Sequence, residues 1–180
     1  DELANEYQIS LKMLNLGGGL PAKYVQETEE FESYSKQINA ALNTFKDYGL
    51  EQIILEPGRS LVGNAGILVS EIVLISQRPH SGKKRWIYTD IGVFNGLIET
   101  LGEAIQYQIV CEKTGHTDDI ILAGPTCDSM DIMYQNKKYE LPLSLEIGDH
   151  LYWLSTGAYT TSYSSIEFNG FPPLKYYILN

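Results

Sequence analysis

Glu56-Pro57-Gly58-Arg59 closes the apolar run Gln52-Ile53-Ile54-Leu55 and leads into Ser60-Leu61-Val62-Gly63. An apolar strand ending in an acid, a rigid Pro-Gly corner and an arginine sets two opposite charges at the strand's carboxyl end. That is where α/β folds hold ligands. The arginine offers a planar fork of donors suited to a phosphate, and the carboxylate can hold a proton on a ring nitrogen. Alone, the tetrapeptide also reads as a turn with a surface ion pair.

Just upstream, Leu11-Lys12-Met13-Leu14-Asn15-Leu16 is a buried-strand candidate bounded by Gly17-Gly18-Gly19. Three glycines after a strand let the backbone approach an anion closely and aim several N–H groups at it. Between the two strands, residues 32–48 read as a helix, because Ile38, Ala41, Leu42 and Phe45 recur at helical spacing and Gly49 offers a stop. Strand, glycine loop, helix, strand and Glu-Pro-Gly-Arg describe one βαβ unit of a parallel sheet. In a (β/α)8 barrel the loops after the last two strands commonly build a phosphate site, and these two loops match that role.

A whole barrel needs about 250 residues, and this chain has 180. Its pattern changes after Gly63-Asn64-Ala65-Gly66. The expectation is therefore residues 1–65 as the last part of a barrel whose remainder is absent, with residues 1–9 the tail of a helix. From residue 66, strand-like segments recur between turn signals at 67–76, 85–90, 105–111, 118–123, 151–155 and 175–179. Their irregular spacing predicts a β-sandwich or small β-barrel over residues 66–180. His80-Ser81-Gly82-Lys83-Lys84 reads as a solvated hairpin loop.

Composition excludes several classes. Hydrophobic residues make up 43% and charged residues 20%, which are globular proportions. No apolar run reaches the roughly 18 residues of a membrane span, and the acidic first residues do not form a targeting peptide. A soluble cytoplasmic protein is expected. With 13 basic against 23 acidic residues the formal charge is −10. Such a surface repels nucleic acid and draws in a small cation. Cys111 and Cys127 show no metal-ligand spacing with His80, His116 or His150, so neither zinc nor a disulfide framework is expected.

Further stretches complete an ordered set: Tyr88-Thr89-Asp90-Ile91-Gly92-Val93-Phe94, Gly124-Pro125-Thr126-Cys127-Asp128-Ser129-Met130-Asp131 and Gly157-Ala158-Tyr159-Thr160-Thr161. With the two loops above, this set resembles the fold-type III pyridoxal-phosphate decarboxylases, most closely the bacterial ornithine/lysine decarboxylase branch, from about residue 10 onward. The resemblance implies the end of a cofactor-binding (β/α)8 barrel followed by a β domain, pyridoxal 5'-phosphate as cofactor, and a homodimer with shared active sites. It implies decarboxylation of a basic amino acid, ornithine to putrescine first, with lysine or another basic amino acid as an alternative. A non-catalytic, decarboxylase-like regulator is the third reading.

In that scheme Glu56 keeps the cofactor ring protonated, and Arg59 with Gly17, Gly18, Gly19 and Gly58 holds the phosphate. Tyr159 resembles the family tyrosine that bonds the same group. Cys127, presented by a rigid Gly-Pro loop, is the thiol that reprotonates the carbon after carbon dioxide departs, reaching into the partner's site. Asp128 and Asp90 are the carboxylates for the substrate's second ammonium group, and Phe168 of Phe168-Asn169-Gly170-Phe171-Pro172-Pro173 packs beside the substrate chain. A diaminopimelate decarboxylase generally has glutamate after this cysteine, so Asp128 favours a diamine product. Asp131 reads as capping the following turn. Val93 and Asn95 depart from the branch pattern, close to Asp90. The lysine that carries the cofactor has no match, and Lys12, Lys83, Lys84, Lys137 and Lys138 all read as solvated.

Overall fold

The computed structural model describes residues 2–77 and 84–179. The chain begins with the short helix α1, Glu2–Glu6. Strands β1, Met13–Asn15, and β2, Gln52–Ile54, pair in parallel, with Leu14 opposite Ile53. Helix α2, Phe31–Leu42, connects them and tightens into a 3₁₀ turn, Asn43–Tyr48. Gly49 ends it in the left-handed conformation at φ 65°. The predicted helix over 32–48 is thus helical throughout, but its last turn is wound more tightly. Helix α3, Arg59–Val62, follows β2.

The remaining strands form one mixed sheet of seven. They are β3 (Ile67–Gln77), β4 (Arg85–Thr89), β5 (Ile109–Val110), β6 (Thr117–Ala123), β7 (Ile132–Tyr134), β8 (Glu140–Pro142) and β9 (His150–Leu154). The order is β5-β9-β3-β4-β6-β7, with β8 also on β6. Only β4 and β6 run parallel; the other pairs are antiparallel. Alternation explains β3, where Leu68, Ser70 and Ile72 point inward. Ser70 is tolerated there because its hydroxyl accepts the Trp153 indole N–H at 2.9 Å. At the parallel pair both faces are covered: Ile87, Ile120 and Leu122 enter the main core, while Trp86, Ile121 and Ala123 form a smaller cluster behind.

Two expectations change. The strand predicted over 105–111 is reduced to Ile109–Val110, because tyrosine hydroxyls take the bonds a neighbouring strand would make. Tyr107 and Ile109 donate their N–H groups to the Tyr134 and Tyr139 hydroxyls, each at 2.8 Å, and the Tyr139 hydroxyl donates to Tyr107 O at 2.7 Å. The segment 175–179 is no strand: Tyr176, Tyr177, Ile178 and Leu179 are exposed and pair with none of the described strands. Its alternation of residue types has no sheet edge to meet. The His80–Lys84 loop lies outside the described residues except for Lys84, whose ammonium meets Asp119 at 2.8 Å.

The parallel unit and the large sheet are fastened where two glycine-containing backbones cross. Thr156 N–H donates to Gly66 O at 3.0 Å and Gly157 N–H to Gly63 O at 2.9 Å. A Cβ on Gly157 would lie 1.8 Å from Val62 O, and one on Gly66 would lie 2.5 Å from Gly157 N. Gly157→Ala is expected to lower the unfolding free energy by about 1–3 kcal/mol, the usual effect of overpacking, as measured by chemical denaturation. Ala158→Gly, one residue on, is the comparison that separates this clash from general loop sensitivity.

Candidate active site

Asn15, the last residue of β1, organises both loops at the strand ends. Its Nδ2 donates to Glu56 Oε1 at 2.5 Å, and its Oδ1 accepts Gly17 N–H at 2.8 Å. The strand pairing carries on beyond β2, with Glu56 N–H donating to Gly17 O at 2.8 Å. Gly18 then lies so close to the Glu56 carbonyl that a Cβ would come within 2.5 Å of it. Only glycine lets the two loops touch here.

Arg59 opens α3 and turns its guanidinium back across the loops. Nη1 donates to the Tyr24 hydroxyl at 2.6 Å and to Glu99 Oε2 at 2.7 Å, and Nη2 donates to Glu99 Oε1. Glu99 comes from the 3₁₀ segment Ile98–Glu103 of the β region. Both side chains are largely buried, at 21% and 15% exposure. The bond to Glu99 raises the Arg59 pKa above its usual value, against the opposing effect of burial. The Tyr159 ring covers the guanidinium, its centroid 4.9 Å from Cζ. Tyr159 adopts φ 56° in the loop tied down by Gly157.

These groups line one open cavity of about 710 Å³. Gly18, Gly19, Glu56, Gly58, Arg59 and Tyr159 all face it, as do Tyr24, Glu99 and Lys137. Gly17 does not; it lines a smaller apolar cavity of about 300 Å³ beneath α2, with Ile38, Phe45 and Pro57. Lys137 is exposed, as expected, and also borders the larger open cavity, where Glu103 holds its turn. The Glu103 carboxylate accepts the N–H groups of Gln135, Asn136 and Lys137, and Glu103 O accepts Lys137 Nζ at 2.6 Å. Burial pushes the Glu103 pKa up, but the N–H donors outweigh it and hold it below the usual carboxylate range.

A second group stands outside that cavity. Cys127 and Asp128 are exposed on the loop after β6, and Cys127 Sγ lies 3.7 Å from Asn169 Oδ1. Phe168 packs on Phe94 with ring centroids 4.5 Å apart. Asp131 fixes this loop. Buried at 2% exposure, it accepts Val93 N–H at 2.8 Å on Oδ1, and Thr126 N–H at 2.9 Å and Thr126 Oγ1–H at 2.7 Å on Oδ2. The reading of Asp131 as a turn cap was therefore too modest, since it joins the Asp90–Phe94 and Gly124–Asp128 stretches. Asp90 itself accepts Glu71 N–H at 2.8 Å, and burial raises its pKa. Val93 is in the core, and Asn95 pins the turn by accepting Gly92 N–H at 2.6 Å. Both departures from the branch pattern thus point inward.

The family model for the pyridoxal-dependent decarboxylase C-terminal sheet domain matches residues 7–157. The chain belongs to the pyridoxal-dependent decarboxylases. It is 37% identical over 166 residues to a diaminopimelate decarboxylase of Staphylococcus aureus, a match covering 89% of this chain and 38% of the relative. It is 30% identical over 197 residues to the ornithine decarboxylase of Saccharomyces cerevisiae, covering 95% and 40%. Among solved structures, the lysine/ornithine decarboxylase of Vibrio vulnificus complexed with putrescine superposes with a TM-score of 0.78 at 28% identity, covering 96% of this chain and 45% of that one. The chain thus spans about two fifths of the length of these relatives. The mixed β sheet is the C-terminal sheet domain of the family, and pyridoxal phosphate is the family's cofactor.

The cavity suits that group. It has the volume for it, glycine where a Cβ would obstruct the loops, and a carboxylate at Glu56. Three of the five Arg59 N–H donors are engaged. The side-on edge, Nε–H with one Nη2–H, is left without a partner among the described residues. The motif reading gives Asn15, Tyr24 and Glu99 no part, and Asp131 only that of a turn cap, because their parts depend on contacts across the chain. Asp131→Asn leaves one acceptor oxygen for two sets of donors. It should cost about 1–3 kcal/mol through an unsatisfied buried group, and hydrogen exchange should quicken at the Val93 and Thr126 amides together.

Proposed function

We propose that this chain supplies the C-terminal part of a pyridoxal-phosphate-dependent decarboxylase of a basic amino acid, with ornithine the first candidate substrate and lysine the second. The observation that carries this reading is the single cavity onto which Gly18, Gly19, Glu56, Arg59 and Tyr159 converge from three separate stretches of sequence. A regulator without chemistry has no need of that convergence together with Cys127, Asp128 and Asp90.

When bound, the cofactor supplies the electron sink for the electrons left as carbon dioxide departs. Glu56 holds the proton on its ring nitrogen, oriented by Asn15. The glycine loop and the free edge of Arg59 receive its phosphate, with Tyr159 closing over them. Cys127 Sγ delivers a proton to the substrate carbon once the carboxylate has gone. Because Cys127, Asp128 and Phe168 stand outside the chain's own cavity, they serve the site of a second copy in a homodimer. Met13 and Ile53 on the β1–β2 pair are about half exposed. The remaining barrel, carrying the cofactor-bearing lysine, covers them.

Asp128 is the substrate determinant in this reading, a carboxylate that pairs with the distal ammonium of ornithine or lysine. Diaminopimelate is a further reading, favoured by the S. aureus relative. The assembled enzyme is expected to absorb as a pyridoxal-phosphate protein and to release carbon dioxide from ornithine; neither signal after reconstitution with the missing barrel defeats the proposal. Cys127→Ala should divert turnover toward misprotonated, transaminated cofactor while cofactor affinity stays within a few-fold, and an unchanged product partition removes Cys127 from the reaction. Asp128→Asn should weaken ornithine by about 1–3 kcal/mol. Substrates lacking a distal amine should be spared, and an equal loss with them contradicts the role.

A further inference from the structure

Two loops that present side chains outward are fastened to neighbouring residues of one stretch. Val93 N–H donates to the Asp131 carboxylate at 2.8 Å and so holds the loop of Cys127. Phe94 O accepts Ser165 N–H at 2.7 Å, and the Phe94 ring packs on Phe168. With both loops referred to the same pair of residues, Cys127 and Asn169 meet although they lie 42 positions apart. The thiol donates to Asn169 Oδ1, with sulfur and oxygen 3.7 Å apart. The turn that delivers Asn169 is closed by Gly170 N–H donating to Glu167 O at 3.0 Å and Phe171 N–H to Phe168 O at 3.1 Å. Within it Glu167 and Asn169 both take the left-handed conformation, at φ 57° and 53°. Side chains persist there when their surroundings over-determine them, and such residues gather at functional sites.

A proton donor has to point as well as be present. Cys127 is exposed, so packing does little to choose among the three staggered positions of its sulfur. The bond to Asn169 chooses one. Its acceptor is a neutral carbonyl oxygen, which engages a sulfur that still carries its hydrogen. We propose that Asn169 is a positioning residue for Cys127: its amide oxygen holds the Sγ–H in one rotamer until the substrate carbon takes the proton. The proposal rests on the reading of Cys127 as the proton donor and names what aims it. In that step the S–H bond breaks while a C–H bond forms from the electron pair left by carbon dioxide. The sulfur keeps the S–H pair and regains a proton from water.

The test uses the complete, pyridoxal-phosphate-loaded decarboxylase containing this chain, with two variants that both suit a positive φ. Asn169→Gly removes the acceptor without straining the backbone, and Asn169→Asp keeps an oxygen in its place. In the resting enzyme, alkylation of Cys127 by iodoacetamide, followed by peptide mass, should quicken about threefold in Asn169→Gly, the effect of losing one modest hydrogen bond. It should not quicken in Asn169→Asp, and Cys111 serves as the internal reference. During turnover the ratio of transaminated cofactor to carbon dioxide released should rise about fivefold in Asn169→Gly and return toward wild type in Asn169→Asp. A merely structural role would alter Cys111 labelling or total turnover and leave that ratio alone. Equal Cys127 labelling in wild type and Asn169→Gly overturns the proposal, as does a ratio that rises equally in both variants. Cys127→Ala tells the two failures apart. If it leaves the ratio unchanged, the reading of Cys127 falls and takes the positioning role with it. If it raises the ratio and Asn169→Gly does not, only the part given to Asn169 falls.

Discussion

Everything in the site depends on how closely two backbones approach at Gly63, Gly66 and Gly157. The loop leaving β9 donates two N–H···O bonds to the segment leaving α3 there, at a separation that a single methyl group would prevent. That contact brings the following turn back over the parallel unit and lays Tyr159 on Arg59. Without it, the glycine loop and the arginine would belong to one sheet and the tyrosine to another. A backbone contact also suits the task, because it fixes position without depending on side-chain rotamers.

The cavity so formed has a definite electrostatic character. Its arginine is largely but not fully buried, charged and satisfied on one edge by Glu99, which reaches it from the 3₁₀ segment beside the β sheet. Isolated, a guanidinium removed from water would be costly; paired, it is held rigidly by its partner. The same pairing joins the parallel β1–β2 unit to the mixed sheet within the chain, so that the geometry of the cavity depends on both. Lys137 enters by a different route, carried on a turn whose N–H groups converge on the Glu103 carboxylate.

The second group of residues is built to be presented outward. Cys127 and Asp128 are exposed, but the loop that bears them is anchored by the buried Asp131, with each carboxylate oxygen engaged. For the proposed site shared with a second copy, a loop held this firmly is ordered before association, which then does not have to supply that ordering.

Residue types and spacing alone determined the βαβ unit, the glycine loop, the Glu-Pro-Gly-Arg corner and most strands of the sheet, because period, punctuation and charge at strand ends are local properties. They also determined that the chain follows a decarboxylase pattern, since that pattern lies in contiguous motifs. Only the tertiary structure decided that Glu99 meets Arg59 across 40 residues, that Asp131 joins two loops, and that Lys137 faces the cavity. It also decided that tyrosine hydroxyls replace strand partners along 105–109 and that residues 176–179 pair with none of the described strands. A side chain's alphabet letter specifies which bonds it can make, but which of them it makes depends on what folding brings within 3 Å.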